Sequence, residues 1–378
     1  MTEEVLTLAI DEKGARVVSR DIKNIGYESE KTGKKVDVLQ KSLKRAFVLF
    51  SGGALLKTAI SESMLFGDAM AEVSTLVDEA TFSMDKLTAQ AKKQAVAFGS
   101  QPVQQSKALY QIISAGAQNT AQSIETLTAA NKLAVGGVTD VATAADGLTT
   151  IMNVYGEKAG SAADISDTLF VGMKAGKTTI GELSESLGVI VPFAEKLQIP
   201  FEELVASTAA LTKGGINTKV AITGLRAILA SVAKPTKEAS DLAESLGINF
   251  NIAGIKSMGL AGFLDHLKEK TQGSDEAMTT LFGGVEALVP IMALAGNAGE
   301  SFTEIMGQMQ DKLGLTDEAM KKITSASGFK FKQLMALSKV ILIGVGDAIG
   351  RVLVPVMDLL VNRFDDVALA AGTFFAIV

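Results

Sequence analysis

The chain has 378 residues, a formal charge of −6, 47% hydrophobic side chains, a single histidine (His266) and no cysteine. Lack of cysteine excludes disulfides and thiolate metal sites, and one histidine excludes His-rich metal centres. Charge is spread evenly, with no basic stripe interleaved by aromatics, which excludes the usual pattern of sequence-specific nucleic-acid recognition.

Aromatics make up only 5% of the chain, so core volume must come from smaller residues, which also let helices approach closely. The length suits about two or three compact domains or one elongated helical body. Met1-Thr2-Glu3-Glu4 opens the chain without the basic and apolar regions of a secretory signal, so synthesis in the cytoplasm is expected. No uninterrupted apolar run reaches the roughly 18–20 residues of a clear membrane span.

Val5–Ile10 alternates as a strand does, Asp11-Glu12-Lys13-Gly14 suits a turn, and Ala15–Val18 could return as a second strand. From Ile22 through Leu43 the pattern turns mostly helical, interrupted at Gly26 and Gly33. Met70, Val73, Val77, Ala80, Met84, Leu87 and Ala91 then recur at alternating three- and four-residue steps, which predicts one heptad helix from about Gly67 to Phe98. Its seam fits packing within the chain or a coiled coil between chains; a 3.5-residue period favours long, nearly parallel helix contact in both cases.

Beyond Ser100-Gln101-Pro102, short helices closed by glycine or proline are predicted, with N-caps at Asn119, Thr139, Ser161 and Thr179. Lys234-Pro235-Thr236 marks another break. Thr316-Asp317-Glu318 resembles an N-cap with acidic first-turn residues. It opens a long helix through Leu337, Ile341, Val345, Ile349 and Val352, which Pro355 should kink or end. The expected fold is all-α: a multi-helix domain plus long amphipathic or coiled-coil helices, with at most a small N-terminal β-hairpin. Its expected segments are 1–65 (hairpin and leading helix), 66–99 (heptad helix), 100–313 (compact core) and 314–378 (C-terminal helix leading into an apolar region).

Chemical motifs are sparse. Gly176-Lys177-Thr178 lacks the preceding strand and the glycine spacing of a phosphate loop, so it is taken as a helix C-cap followed by a helix start. Gly344-Val345-Gly346-Asp347-Ala348-Ile349-Gly350 lies in a helical pattern and suits close helix approach rather than a dinucleotide. His266 has no partners for catalysis. Asp347 and Arg351, one helical step apart, suit an i,i+4 ion pair or a polar register pair between helices. No catalytic, cofactor or metal residue is assigned. The residues expected at contacts between helices or between copies of the chain are Met70, Val73, Val77, Met84, Leu87, Leu337, Ile341, Val345, Ile349 and Val352.

Three stretches together resemble the core of phage tail tape measure proteins. They are Phe66-Gly67-Asp68-Ala69-Met70-Ala71-Glu72-Val73; Thr223-Gly224-Leu225-Arg226 with Lys234-Pro235-Thr236-Lys237-Glu238-Ala239 and Leu246-Gly247-Ile248; and Ile349-Gly350-Arg351 through Val354-Pro355-Val356. The resemblance covers about residues 60–360. It implies a non-enzymatic virion protein without cofactors, present as a homo-oligomer of three or six copies in the tail lumen. It also implies tail tube, tail tip or baseplate and assembly-chaperone partners, control of tail length, and help for DNA passage with contact at the host membrane. Fully helical, the chain would reach about 570 Å at about 1.5 Å per residue. Its apolar end, Ala370 to Val378, suggests a portion of a longer protein. The alternative is a membrane-active, pore-forming helical protein that uses the apolar residues beyond Val340. A cell-wall hydrolase is disfavoured by the missing site constellations.

Overall fold

The computed structural model describes residues 52–78 and 80–362. The predicted hairpin and the leading helix up to Leu43 lie outside these residues. Among those described there are seventeen α-helices, one short 3-10 helix and no strand, an all-α fold. The first helices are α1 (Gly52–Ser74), α2 (Met84–Phe98), α3 (Pro102–Ser114), α4 (Thr120–Gly136), α5 (Val141–Tyr155) and α6 (Ala162–Ala175). They are followed by α7 (Ile180–Leu187), α8 (Val191–Lys196), α9 (Phe201–Lys213), α10 (Thr218–Ala233), α11 (Lys237–Ser245) and α12 (Ile252–Lys270). The last are α13 (Asp275–Phe282), α14 (Val285–Ala295), α15 (Asn297–Gln310), α16 (Leu315–Thr324) and α17 (Ser327–Asn362). Contacts group the described residues into two units: 52–75 with 91–106 and 331–362, and 76–78 and 80–90 with 107–330.

The larger unit is built around α6 and α9. Every residue from Leu204 to Thr212 in α9 and from Ile165 to Gly172 in α6 is buried, as befits helices covered on all sides. Small residues make this feasible. A Cβ on Gly172 would stand 2.4 Å from the Val205 side chain, and one on Gly176 2.8 Å from Ala209 Cα. The hydroxyls in α9 satisfy themselves: Ser207 donates to the Glu203 carbonyl at 2.7 Å and Thr208 to that of Leu204 at 2.9 Å. Around this pair, α9 also packs on α10, α14 and α15, and α4 packs on α5, α6 and α16.

Local cap chemistry sets most helix starts. Asn119, Ser161 and Thr179 are N-caps as expected, the last two closing capping boxes with Asp164 and Glu182. The cap before α5 is Asp140 rather than Thr139, because the carboxylate reaches both the Thr143 N–H and its hydroxyl. Gly176 ends α6 and Thr179 starts α7, so Gly176-Lys177-Thr178 is a helix junction.

The predicted continuous heptad helix is two helices. Between Ser74 and Met84 the chain leaves the helix, for reasons visible in its side chains. Ser74 and Thr75 hydroxyls donate to the carbonyls of Ala71 and Glu72, Asp78 accepts from the Ala80 N–H, and Ser83 accepts from the Lys86 N–H at the start of α2. Such short polar side chains offer the backbone partners other than the helix ladder. The seam splits accordingly: Met70 and Val73 are buried on α1, Leu87 and Ala91 on α2, Val77 and Met84 are half-buried and Ala80 is exposed.

At the other end, one predicted helix is again two, α16 and α17, parted at Ser325–Ala326, and α17 continues through Pro355 to Asn362. In the smaller unit α17 buries Ala336, Val340 and Ile343; Leu337, Ile341, Val345 and Ile349 are only half-buried. The side chain of Val352 lies outside the described set. The face turned inward within the unit is that of Ala336, Val340 and Ile343. Small residues dictate this: a Cβ on Gly346 would stand 2.2 Å from the Ala59 carbonyl oxygen, so Gly346 must face α1.

Candidate functional site

Among the described residues no group of acidic or histidine side chains could hold a metal ion, and His266 sits partly exposed on α12. The polar geometry serves helix placement, and three carboxylates carry most of it.

Asp167, 3% exposed in the middle of α6, accepts from the N–H of Gly314 at 2.6 Å and of Thr316 at 2.9 Å, and from the Thr316 hydroxyl at 2.6 Å. Thr316 is therefore not the N-cap of α16. That position belongs to Gly314, at φ +82°, which has no capping side chain of its own. A carboxylate 147 positions earlier satisfies the free amides of the helix start and its positive dipole end.

Glu202 and Glu203 open α9 and face different helices. Glu202 pairs with Lys312, itself 8% exposed. Glu203 accepts from the Leu260 N–H at 2.8 Å, where α12 is kinked at Gly259 with φ +73° and ψ 171°. A Cβ on Gly259 would lie 2.7 Å from Glu203 Oε1, and the backbone there is of a kind that side chains other than glycine resist. Burial pushes the Glu203 carboxyl above its usual range, with Glu202 adding to the rise and the Leu260 N–H opposing it. In Asp164 the shift is downward, through the Ser161 hydroxyl and backbone N–H.

A pH dependence follows. Asp164 contributes stability above the ordinary carboxylate range that is lost as pH falls through its depressed value. Glu203 acts oppositely: its contribution is full below the ordinary range and is lost as pH rises through its raised value. Glu203→Gln keeps an oxygen for Leu260 and cannot ionise. Urea midpoints measured from mildly acidic to neutral pH should therefore show a flatter decline in this variant than in the parent. An unchanged decline would assign the titration elsewhere.

In the smaller unit Asp347 is the central polar group. It accepts from the Ser63 hydroxyl and pairs with Lys92 at 3.2 Å, while Arg351 is exposed. The Lys92 ammonium also lies 5.1 Å from the centre of the Phe66 ring, a cation–π distance. Lys339 binds Glu62 at 3.0 Å and Gln101 at 3.2 Å, and Gln333 donates to the Ala97 carbonyl. Within this unit Asp347 faces α1 and α2, and Arg351 is one turn on at the surface.

The site is thus a set of helix junctions. Residues 92–283, just over half of the chain, match the family described as Phage-related minor tail protein. The chain belongs to this family. Its relatives include a probable tape measure protein of Clostridium phage phiCD119, 24% identical over 283 residues, and the tape measure protein of Pneumococcus phage Dp-1, 23% identical over 200 residues. The first alignment covers 72% of this chain and 30% of the relative; the second covers 52% and 17%. The chain therefore spans less than a third of the length of either relative. No solved structure matches. The minor tail match runs from the middle of α2 to just past α13 and includes Asp167, Glu202 and Glu203, none of which the sequence pattern singled out. The available signal for Asp167 was an acid between Ile165 and the apolar run Leu169-Phe170-Val171 of one helix.

Proposed function

We propose that this chain is the helical core of a tape measure protein, a non-enzymatic component of the phage tail that sets tail length and scaffolds the tail tube. The observation that carries the reading is the minor tail family match across residues 92–283, joined by relatives named as tape measure proteins. The all-α architecture fits it, and so does a polar network spent on joining helices. In this reading several copies, three or six, share the tail lumen, with tail tube and tip or baseplate proteins as partners and assembly chaperones during growth in the host cytoplasm. Departure of the protein ahead of the genome then assists DNA passage.

The exposed junction Ser325–Ala326 between α16 and α17 provides a test. Insertion there of a helical block of about 35 residues, in the gene as carried by the phage, should lengthen tails by about 50 Å per particle at about 1.5 Å per residue. Electron microscopy of purified tails reads this directly. An unchanged length distribution with the elongated protein present in the particles would overturn the ruler role.

A further inference from the structure

The larger unit repeats itself along the chain. Helices α4 and α5, α6 and α7, and α9 and α10 form three successive pairs, with the short α8 inserted before the third. The first helices end at Gly136, Ala175 and Lys213, and the second begin at Val141, Ile180 and Thr218, a step of 39 and then 38 residues in both series. The connection from α2 to α3, between Phe98 and Pro102, falls one such step earlier. The three connections are also alike in kind. Gly137, Gly176 and Gly214 close the first helix of each pair, and Asp140, Thr179 and Asn217 cap the second with their side chains.

Packing keeps the same step. Helix α4 lies on α6 and α6 on α9; α5 lies on α7 and α7 on α10; within each pair the two helices pack on one another. The pairs therefore stack as two layers, first helices in one and second helices in the other. Glycine allows the close approach between successive pairs: a side chain at Gly137 would strike Ile180, one at Gly147 Ser184, one at Gly172 Val205, and one at Gly176 the backbone of Ala209. The connections bind one another as well. The Lys177 N–H donates to the Thr212 hydroxyl at 3.2 Å, and the Thr178 and Thr218 hydroxyls share a hydrogen bond at 2.8 Å. Beyond the third pair α14 covers α10 and α15 covers α9, in reversed chain order, an atypical unit of the sort that closes the end of an array.

We propose that residues 120–233 are a short α-solenoid, a tandem array of one helical-hairpin unit of 38–39 residues, and that it enters the tail as a folded block. Two-helix repeats of about 34 to 47 residues build such arrays. Each unit is held by its neighbours, so whole periods can be added without changing the alternation of layers. One unit advances the array by a helix-packing distance of about 10 Å, whereas 39 residues in a single helix span about 58 Å. The block thus adds little length for its residue count. That consequence rests on the tail-length reading above; the array does not.

Two duplications in the full chain test the array. Repeating 138–176 adds one period and leaves first helices on first and second on second. Repeating 160–176 adds α6 alone and exchanges the layers for everything after it. The first variant should melt within about 5 °C of the parent by circular dichroism, and the second about 10 °C or more below it. Equal melting of the two would overturn the array, whether both fold or both fail. In the phage, the 138–176 duplication should lengthen tails by about 10 Å at most. A gain near about 58 Å would mean that the units part inside the tail, and would overturn the folded block. The helical insertion at Ser325–Ala326 is the control. If that insertion leaves tail length unchanged, the tail-length reading fails and the two melts still decide the array.

Discussion

Asp167→Ala is expected to lower stability by about 3–5 kcal/mol, the scale on which removing one side of a buried charged hydrogen-bond set is felt. The substitution strands the amides of Gly314 and Thr316 and the Thr316 hydroxyl, with Thr316 itself 3% exposed. Each buried donor left unmade costs about 1–3 kcal/mol, and entry of water into the space vacated holds the sum below a simple total. For a unit of this size that is a fall of about 10 °C in melting temperature. Asp167→Asn should fall between the two, since its oxygen can serve some of the donors while its NH2 is set against the others. Thermal melts followed by circular dichroism check both. A change under about 0.5 kcal/mol in the alanine variant would show that α16 does not depend on this carboxylate.

The second large effect concerns α1. Val73 is 0% exposed, and Val73→Asp would bury a charge with no partner, a loss of about 4 kcal/mol or more. Val77 belongs to the same heptad pattern, but it stands half-buried in the connection between α1 and α2. Val77→Asp should therefore cost under about 1 kcal/mol, because the carboxylate can turn to water. Urea unfolding of the pair measures the ratio. Equal costs would mean that the seam continues through Val77 in solution, as the uninterrupted heptad helix requires.

The contrast shows how far a periodic pattern carries. Alternating steps from Met70 to Ala91 reported which residues prefer burial, and four of them are buried. The pattern had no access to the competition within 74–83, where Ser74, Thr75, Asp78 and Ser83 each bond to nearby backbone. In α17 the difficulty was the reverse. Apolar residues occur nearly all round the helix, so periodicity did not select an inward face. The choice fell to Gly346, whose missing side chain admits the backbone of α1. Asp347 then faces inward with it and meets Lys92 and Ser63 rather than Arg351.

What the sequence by itself determined is what depends on residues within a turn or two of one another. It set the helical class, the stops at Gly176 and before Thr179, the caps at Asn119, Ser161 and Thr179, and the family resemblance carried by short stretches in order. What only the tertiary structure decided is which distant groups complete each helix. Asp167 caps α16 from 147 positions away, Ser63 reaches Asp347 across 284, and Glu203 holds the α12 kink from 57 residues earlier. The physical reason is that a cap or a turn is closed by its own neighbours, whose spacing is written in the chain. A buried carboxylate can be satisfied by any donor that packing brings within hydrogen-bond reach, and that donor is fixed only when the helices have chosen their faces.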